Sequence, residues 1–129
     1  MTAMSMETAV HPQVITSRSI TGKTVKSPDQ QALGTVHNLI LDMKSGRVAF
    51  LVISTGGILG IGEKFIPVPW ESYSGMPDED SVTVNVTRET LESAPNYDRD
   101  SWEGIHDLGW LARVYQYYGF RPYWEPATI

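Results

Sequence analysis

The sequence contains no cysteine and only three histidines, His11, His37 and His106, far apart along the chain. The first absence removes disulfides, thiolate metal sites and cysteine nucleophiles. The scatter of the histidines gives no metal-binding cluster, and no H-E-x-x-H, G-x-S-x-G or nucleotide-binding signature occurs. No stretch approaches the ~18 apolar residues of a membrane span. The first ten residues, MTAMSMETAV, lack the basic and apolar regions of a signal peptide. Positive charge is also scarce. The net charge is −5, from 10 Lys/Arg against 15 Asp/Glu, and the acidic excess lies after residue 70. A nucleic-acid binder concentrates positive charge, so direct nucleic-acid binding is not expected, whereas a basic protein partner is compatible. A cytoplasmic protein with one main domain, no cofactor and no metal is the expectation for 129 residues of this composition.

What is present is concentrated between Gly34 and Trp70. Arg47 to Thr55 (RVAFLVIST) is rich in β-branched and aromatic residues, which favours a strand. Period-2 alternation puts Val48, Phe50 and Val52 on one face and Ala49, Leu51 and Ile53 on the other. Both faces are apolar, so both need cover. A preceding strand, Thr35 to Leu41, is joined to it by Asp42–Gly46, where Gly46 suits a left-handed turn position and Asp42 suits hydrogen bonding to the turn backbone. The run GGILGIGEK places Gly56, Gly57, Gly60 and Gly62 in one connection. It has neither the spacing nor the following Lys-Ser/Thr of a phosphate loop, so it reads as a glycine hairpin. In FIPVPW, Pro67 and Pro69 lie two apart, and their missing N–H groups fall on one side. That side cannot carry a ladder, which predicts a sheet edge, followed by a helical turn around Trp70.

These residues resemble the PRC-barrel domain family. The resemblance is carried by Ile20-x-Gly22 with Val25, Leu33-Gly34-x-Val36 leading to Leu41-Asp42, Gly46-Arg47-Val48, the glycine run through Gly62-Glu63-Lys64, and Pro67-Val68-Pro69-Trp70. It implies a mainly β protein built on a small six-stranded barrel. The family includes the cytoplasmic domain of the photosynthetic reaction-centre H subunit, the C-terminal domain of a ribosome maturation factor, and many stand-alone bacterial and archaeal members. No catalytic residues are known for it, so none transfer to this chain.

Along the chain, residues 1–14 read as a flexible arm, 15–87 as the barrel domain and 88–129 as a helical, aromatic-rich extension. Ile15–Ser19 is compatible with the start of a first strand, and Ser27-Pro28-Asp29-Gln30 with a turn. Asp78, Glu79 and Asp80 are adjacent rather than alternating, so they lack calcium-loop spacing. Val82, Val84 and Val86 alternate with Ser81, Thr83 and Asn85 in a half-buried strand. Thr87 is placed to cap a short helix ended by Pro95. Asp98, Asp100, Glu103 and Asp107 lie on a polar segment, where carboxylates are ordinarily solvated.

From Tyr97 onward the chain holds nine of its thirteen aromatic residues. Asp107–Tyr118 has helical spacing, with Trp110, Leu111, Val114, Tyr117 and Tyr118 on one face and Gly119 as a stop. Two readings of this tail stand. It packs on the open apolar face of its own barrel, or it forms an interface, in a homodimer or with another protein, through Trp102, Trp110, Tyr117, Tyr118, Tyr123 and Trp124. The functional expectation is a non-enzymatic interaction and assembly module, dimeric and with a protein partner. The alternatives are an accessory that binds a ribosomal protein, an accessory of a photosynthetic or electron-transfer complex, and a small-molecule binder with a polar pocket near Gly56–Gly62.

Overall fold

The fold is taken from a computed structural model that describes residues 14–56, 63–75, 77–98 and 107–125. The arm 1–13, the glycines Gly57, Gly60 and Gly62, and Trp102 lie outside these residues. The elements are a helical turn α1 (Ser17–Ile20), then β1 (Thr24–Lys26), β2 (Ala32–Asp42), β3 (Arg47–Ser54) and β4 (Phe65–Pro69). A 3-10 turn (Trp70–Ser72) follows, and then β5 (Tyr73–Ser74), β6 (Ser81–Val84), α2 (Arg88–Glu92) and α3 (Leu108–Tyr117). Ser17–Ile20 is a helical turn where a strand start was expected. Local bonds favour it: Thr16 Oγ1 lies 2.8 Å from Ser19 Oγ, and Thr21 Oγ1 donates to the Ser17 carbonyl, the competition that Ser and Thr offer to a ladder.

The six strands form one sheet in the order β4-β3-β2-β1-β6-β5. All neighbours are antiparallel except β1 and β6, which run parallel. The expected six strands are present, but hydrogen bonds do not close them into a barrel. Among the described residues no ladder pairs the two edges, β4 and β5, which follow one another through the Trp70–Ser72 turn. Two features account for the open seam. β5 has two residues, and β4 carries its prolines on the outer side. Phe65 exchanges both backbone bonds with Tyr97 at 2.9 Å, so residues 65, 67 and 69 turn their nitrogens away from β3. At Pro67 and Pro69 there is no N–H to continue that pairing.

The β2–β3 hairpin is the longest paired segment. Asp42 Oδ1 accepts from the N–H of Lys44 at 2.9 Å and of Ser45 at 3.3 Å, and Gly46 takes φ +78°, as the turn chemistry predicts. Gly34 is needed for a different reason. A Cβ there would lie 2.3 Å from the Ser54 carbonyl oxygen, so only glycine lets β2 approach β3 at that rung.

The sheet buries apolar side chains on both faces. Inside its curve lie Leu33, Val36, Leu51, Ile53, Ile66, Val68, Val82 and Val84, capped by Ile20, Leu91 and Ala94. On the outer face of β3, Ala49 and Phe50 pack with Leu111, Val114 and Tyr115 of α3. Val52, Phe65 and Tyr97 continue that layer. The aromatic tail therefore covers the second apolar face of its own sheet. Asp107 caps α3 by accepting from the Gly109 N–H at 2.9 Å, and Thr87 caps α2 by accepting from the Thr90 N–H at 3.1 Å. The buried face of α3 is turned from the expected one. Tyr115 is fully buried and Tyr117 is 39% exposed.

Candidate interaction site

The distal half of the hairpin extends past its neighbours. β1 pairs with β2 only over Ala32–Thr35, and β4 pairs with β3 only over Phe50–Ser54. Among the described residues, the arm from Asn38 to Ala49 is left with one strand partner per strand. A bulge shapes it: Ile40 faces Phe50 and Leu41 faces Val48, so Ala49 is the extra residue. Ala49 thereby joins Phe50 on the outer face, while Val48 moves to the inner side with Leu39 and Trp70. Strict alternation had assigned these two residues the other way round. A single inserted position reverses the faces beyond it.

Each face of the arm borders an apolar groove. The inner groove, about 520 Å³, is lined by Ile15, Leu39, Leu41, Val48, Trp70 and Tyr73, and the Trp70 and Tyr73 rings stack at 4.7 Å. The outer groove, about 600 Å³, is lined by Ile40, Ala49, Leu108, Leu111, Tyr123 and Trp124. The large apolar residues left most accessible cluster here: Met43 is 86%, Val14 73%, Leu108 60% and Leu41 56% exposed. Contiguous exposure of this kind marks interaction sites more than isolated exposed leucines do.

A polar clip fastens the end of the tail to the arm. The Tyr115 hydroxyl donates to Glu71 Oε1 at 2.7 Å and lies 3.1 Å from the Ala49 carbonyl. Glu71 Oε2 accepts from Arg47 at 3.0 Å. The Arg47 guanidinium lies 3.8 Å from the centre of the Tyr123 ring, and the Tyr123 hydroxyl donates to Asp42 Oδ2. Asp42 is held at about 2, below its ordinary 3.8, chiefly by that tyrosine bond, with help from the turn N–H groups. Tyr123 is pushed up to about 12, first by desolvation and then by its bond to Asp42. Burial, and then the Glu71 bond, raises Tyr115 well above the usual phenol range.

Of the six aromatic residues expected at an interface, the structure places five, and Trp102 lies outside the described residues. Trp110 is half-buried, edge-on to Tyr97 at 6.3 Å. Tyr117 donates to the Thr90 carbonyl at 2.6 Å. Tyr118 packs between the two cores with its hydroxyl buried and unpartnered. Tyr123 and Trp124 pack edge-on at 5.0 Å and line the outer groove. Sequence reading missed Tyr115 and Glu71 as a pair. They are 44 residues apart, and no local signal links them.

Among the described residues no three His, Asp or Glu side chains gather as metal ligands. In the acidic turn, the Asp78 and Glu79 carbonyls accept from the Lys23 ammonium. His37 lies against the Phe65 ring at 4.4 Å. Among the described residues no helix is long and apolar enough to cross a membrane.

The sequence profile of the PRC-barrel domain matches residues 12–91, more than half of the chain. A comparison with curated proteins finds no match.

Proposed function

The chain belongs to the PRC-barrel family, and from that premise we propose that it works without catalysis, as a protein–protein interaction and assembly module. The observation that supports this reading most directly is the β2–β3 arm, which carries Leu41 and Met43 into solvent between two apolar grooves. The aromatic tail contributes Tyr123 and Trp124 to one of those grooves, so sheet and tail form a single docking surface. Large accessible apolar residues are costly to leave in water and are retained where a partner buries them. Affinity capture from lysate with the full chain tests the reading, with Met43→Glu as the paired bait. Met43 is 86% exposed, so its substitution leaves the fold intact. Proteins held by the wild type and lost by Met43→Glu support the module, and an identical captured set from both baits contradicts it.

A small-molecule reading draws on the inner groove, whose apolar walls and stacked Trp70–Tyr73 pair suit a neutral, flat ligand. The polar pocket expected beside Gly56–Gly62 falls on residues 57–62, outside the described residues.

A further inference from the structure

We propose that the free edge of β2, from Asn38 to Asp42, pairs with the same strand of a second copy of this chain in a twofold antiparallel ladder. The inference rests on the interaction-module reading and names the partner of that same arm. Three observations carry it. Among the described residues, β2 from Asn38 to Asp42 is hydrogen-bonded on its β3 side only, because the β1 ladder stops at Thr35 and its last flanking bond reaches Val36. An unpaired strand edge is a template for another strand. Next, the edge has no proline and no glycine, and its only charge is at its end, so nothing blocks pairing as Pro67 and Pro69 block it on β4.

The third observation selects a second copy. Residues 38–42 read Asn-Leu-Ile-Leu-Asp, nearly the same in both directions. Antiparallel self-pairing about Ile40 sets Leu39 opposite Leu41 and Asn38 opposite Asp42, twice across the axis. The Asn amide donates where the Asp carboxylate accepts, and no like charges meet. A twofold interface requires this kind of self-complementarity. The Asp42 side chain is already fixed by Tyr123 and the turn, so it meets its partner in one orientation.

Sedimentation equilibrium of the full chain tests the proposal. The wild type shows a concentration-dependent dimer. Asn38 is exposed, so Asn38→Asp keeps the fold but opposes two carboxylates. It weakens the dimer about tenfold, since each cross-strand pair occurs twice about the axis. Asn38→Lys creates two opposite-charge pairs and tightens it. Circular dichroism melts show that both variants fold. A monomer at every concentration, or a dimer shifted the same way by both variants, overturns the second-copy assignment. If the chain is monomeric yet Met43→Glu still abolishes capture of other proteins, the module reading survives without it. If capture also fails to respond, both fall.

Discussion

The two faces of β3 are equally apolar, yet the molecule covers them by different means. The inner face meets aliphatic side chains from other strands, Leu33, Val36, Val82 and Val84 among them. Contacts there have no preferred direction, and their worth scales with buried area. The outer face meets rings. Phe50 lies edge-on to Tyr115 at 5.1 Å, and Tyr115 in turn to Trp124 at 5.2 Å. That layer ends in directed bonds from Tyr115 and Tyr123 to carboxylates. The difference teaches that the inner layer sets the fold, whereas the outer layer orients the tail against the arm and shapes the groove between them.

Truncation should separate the two layers most sharply. Leu51 is fully buried on the inner side, and Leu51→Ala should cost about 3 kcal/mol, from lost transfer energy and the cavity left behind. Tyr115→Phe removes one hydroxyl from the outer layer and strands its acceptors, at a cost of about 1–2 kcal/mol. Urea unfolding with both variants measures the pair. Equal losses would mean that the clip is no weaker a fastener than the core.

The smallest stability change has the opposite sign. The Tyr118 hydroxyl is buried without a hydrogen-bond partner, and burial raises its pKa far above the usual phenol value. Tyr118→Phe removes an unmet donor while keeping the ring, so a gain of up to about 1 kcal/mol is expected. A clear loss would show that the hydroxyl has a partner in solution.

The clip also distinguishes the layers by pH. Asp42 titrates at about 2 in the fold against 3.8 ordinarily. The fold thus favours the carboxylate, and this contribution is complete above pH 3.8 and lost as pH falls toward 2. Tyr123 mirrors it at the alkaline end: raised from 10.0 to about 12, it contributes below 10.0 and loses that contribution as pH rises toward 12. Thermal melts of wild type and Asp42→Asn should converge as pH drops through the acid window. A gap that stays constant there would detach Asp42 from the clip.

The sequence made the inner layer legible and most of the outer layer not. Asp42 and Gly46 announced the hairpin, Pro67 and Pro69 announced an edge strand, and Thr87 and Gly119 marked helix ends, because each acts on its own neighbours. Two apolar faces on Arg47–Thr55 required a second layer, and the tail was rich enough in rings to supply one. The parallel β1–β6 pairing, the bulge at Ala49 and the Glu71–Tyr115 bond each depend on residues distant in sequence or on one inserted position. The α3 face was misread by one step because Tyr115, Tyr117 and Tyr118 all satisfy helical spacing. Only contact with Ala49 and Phe50 selects Tyr115.

The site was legible as composition rather than as geometry. Aromatic residues in the tail marked it as a surface to be buried, and the fold then spent most of them on its own β3. Of the large apolar residues left exposed, Leu41 and Met43 sit on the arm and looked like ordinary strand and turn positions.

Amide hydrogen exchange across a range of protein concentrations tests both halves of the account at once. The tail covers β3 within one chain, so protection at Phe50 and Val52 should not change with concentration. The proposed pairing of the β2 edge with a second copy predicts that the Asn38–Leu41 amides that face away from β3 gain protection as concentration rises. Protection that rises at Phe50 and Val52 would contradict the intramolecular layer. Amides on the β2 edge that exchange equally fast at every concentration would contradict the self-pairing edge.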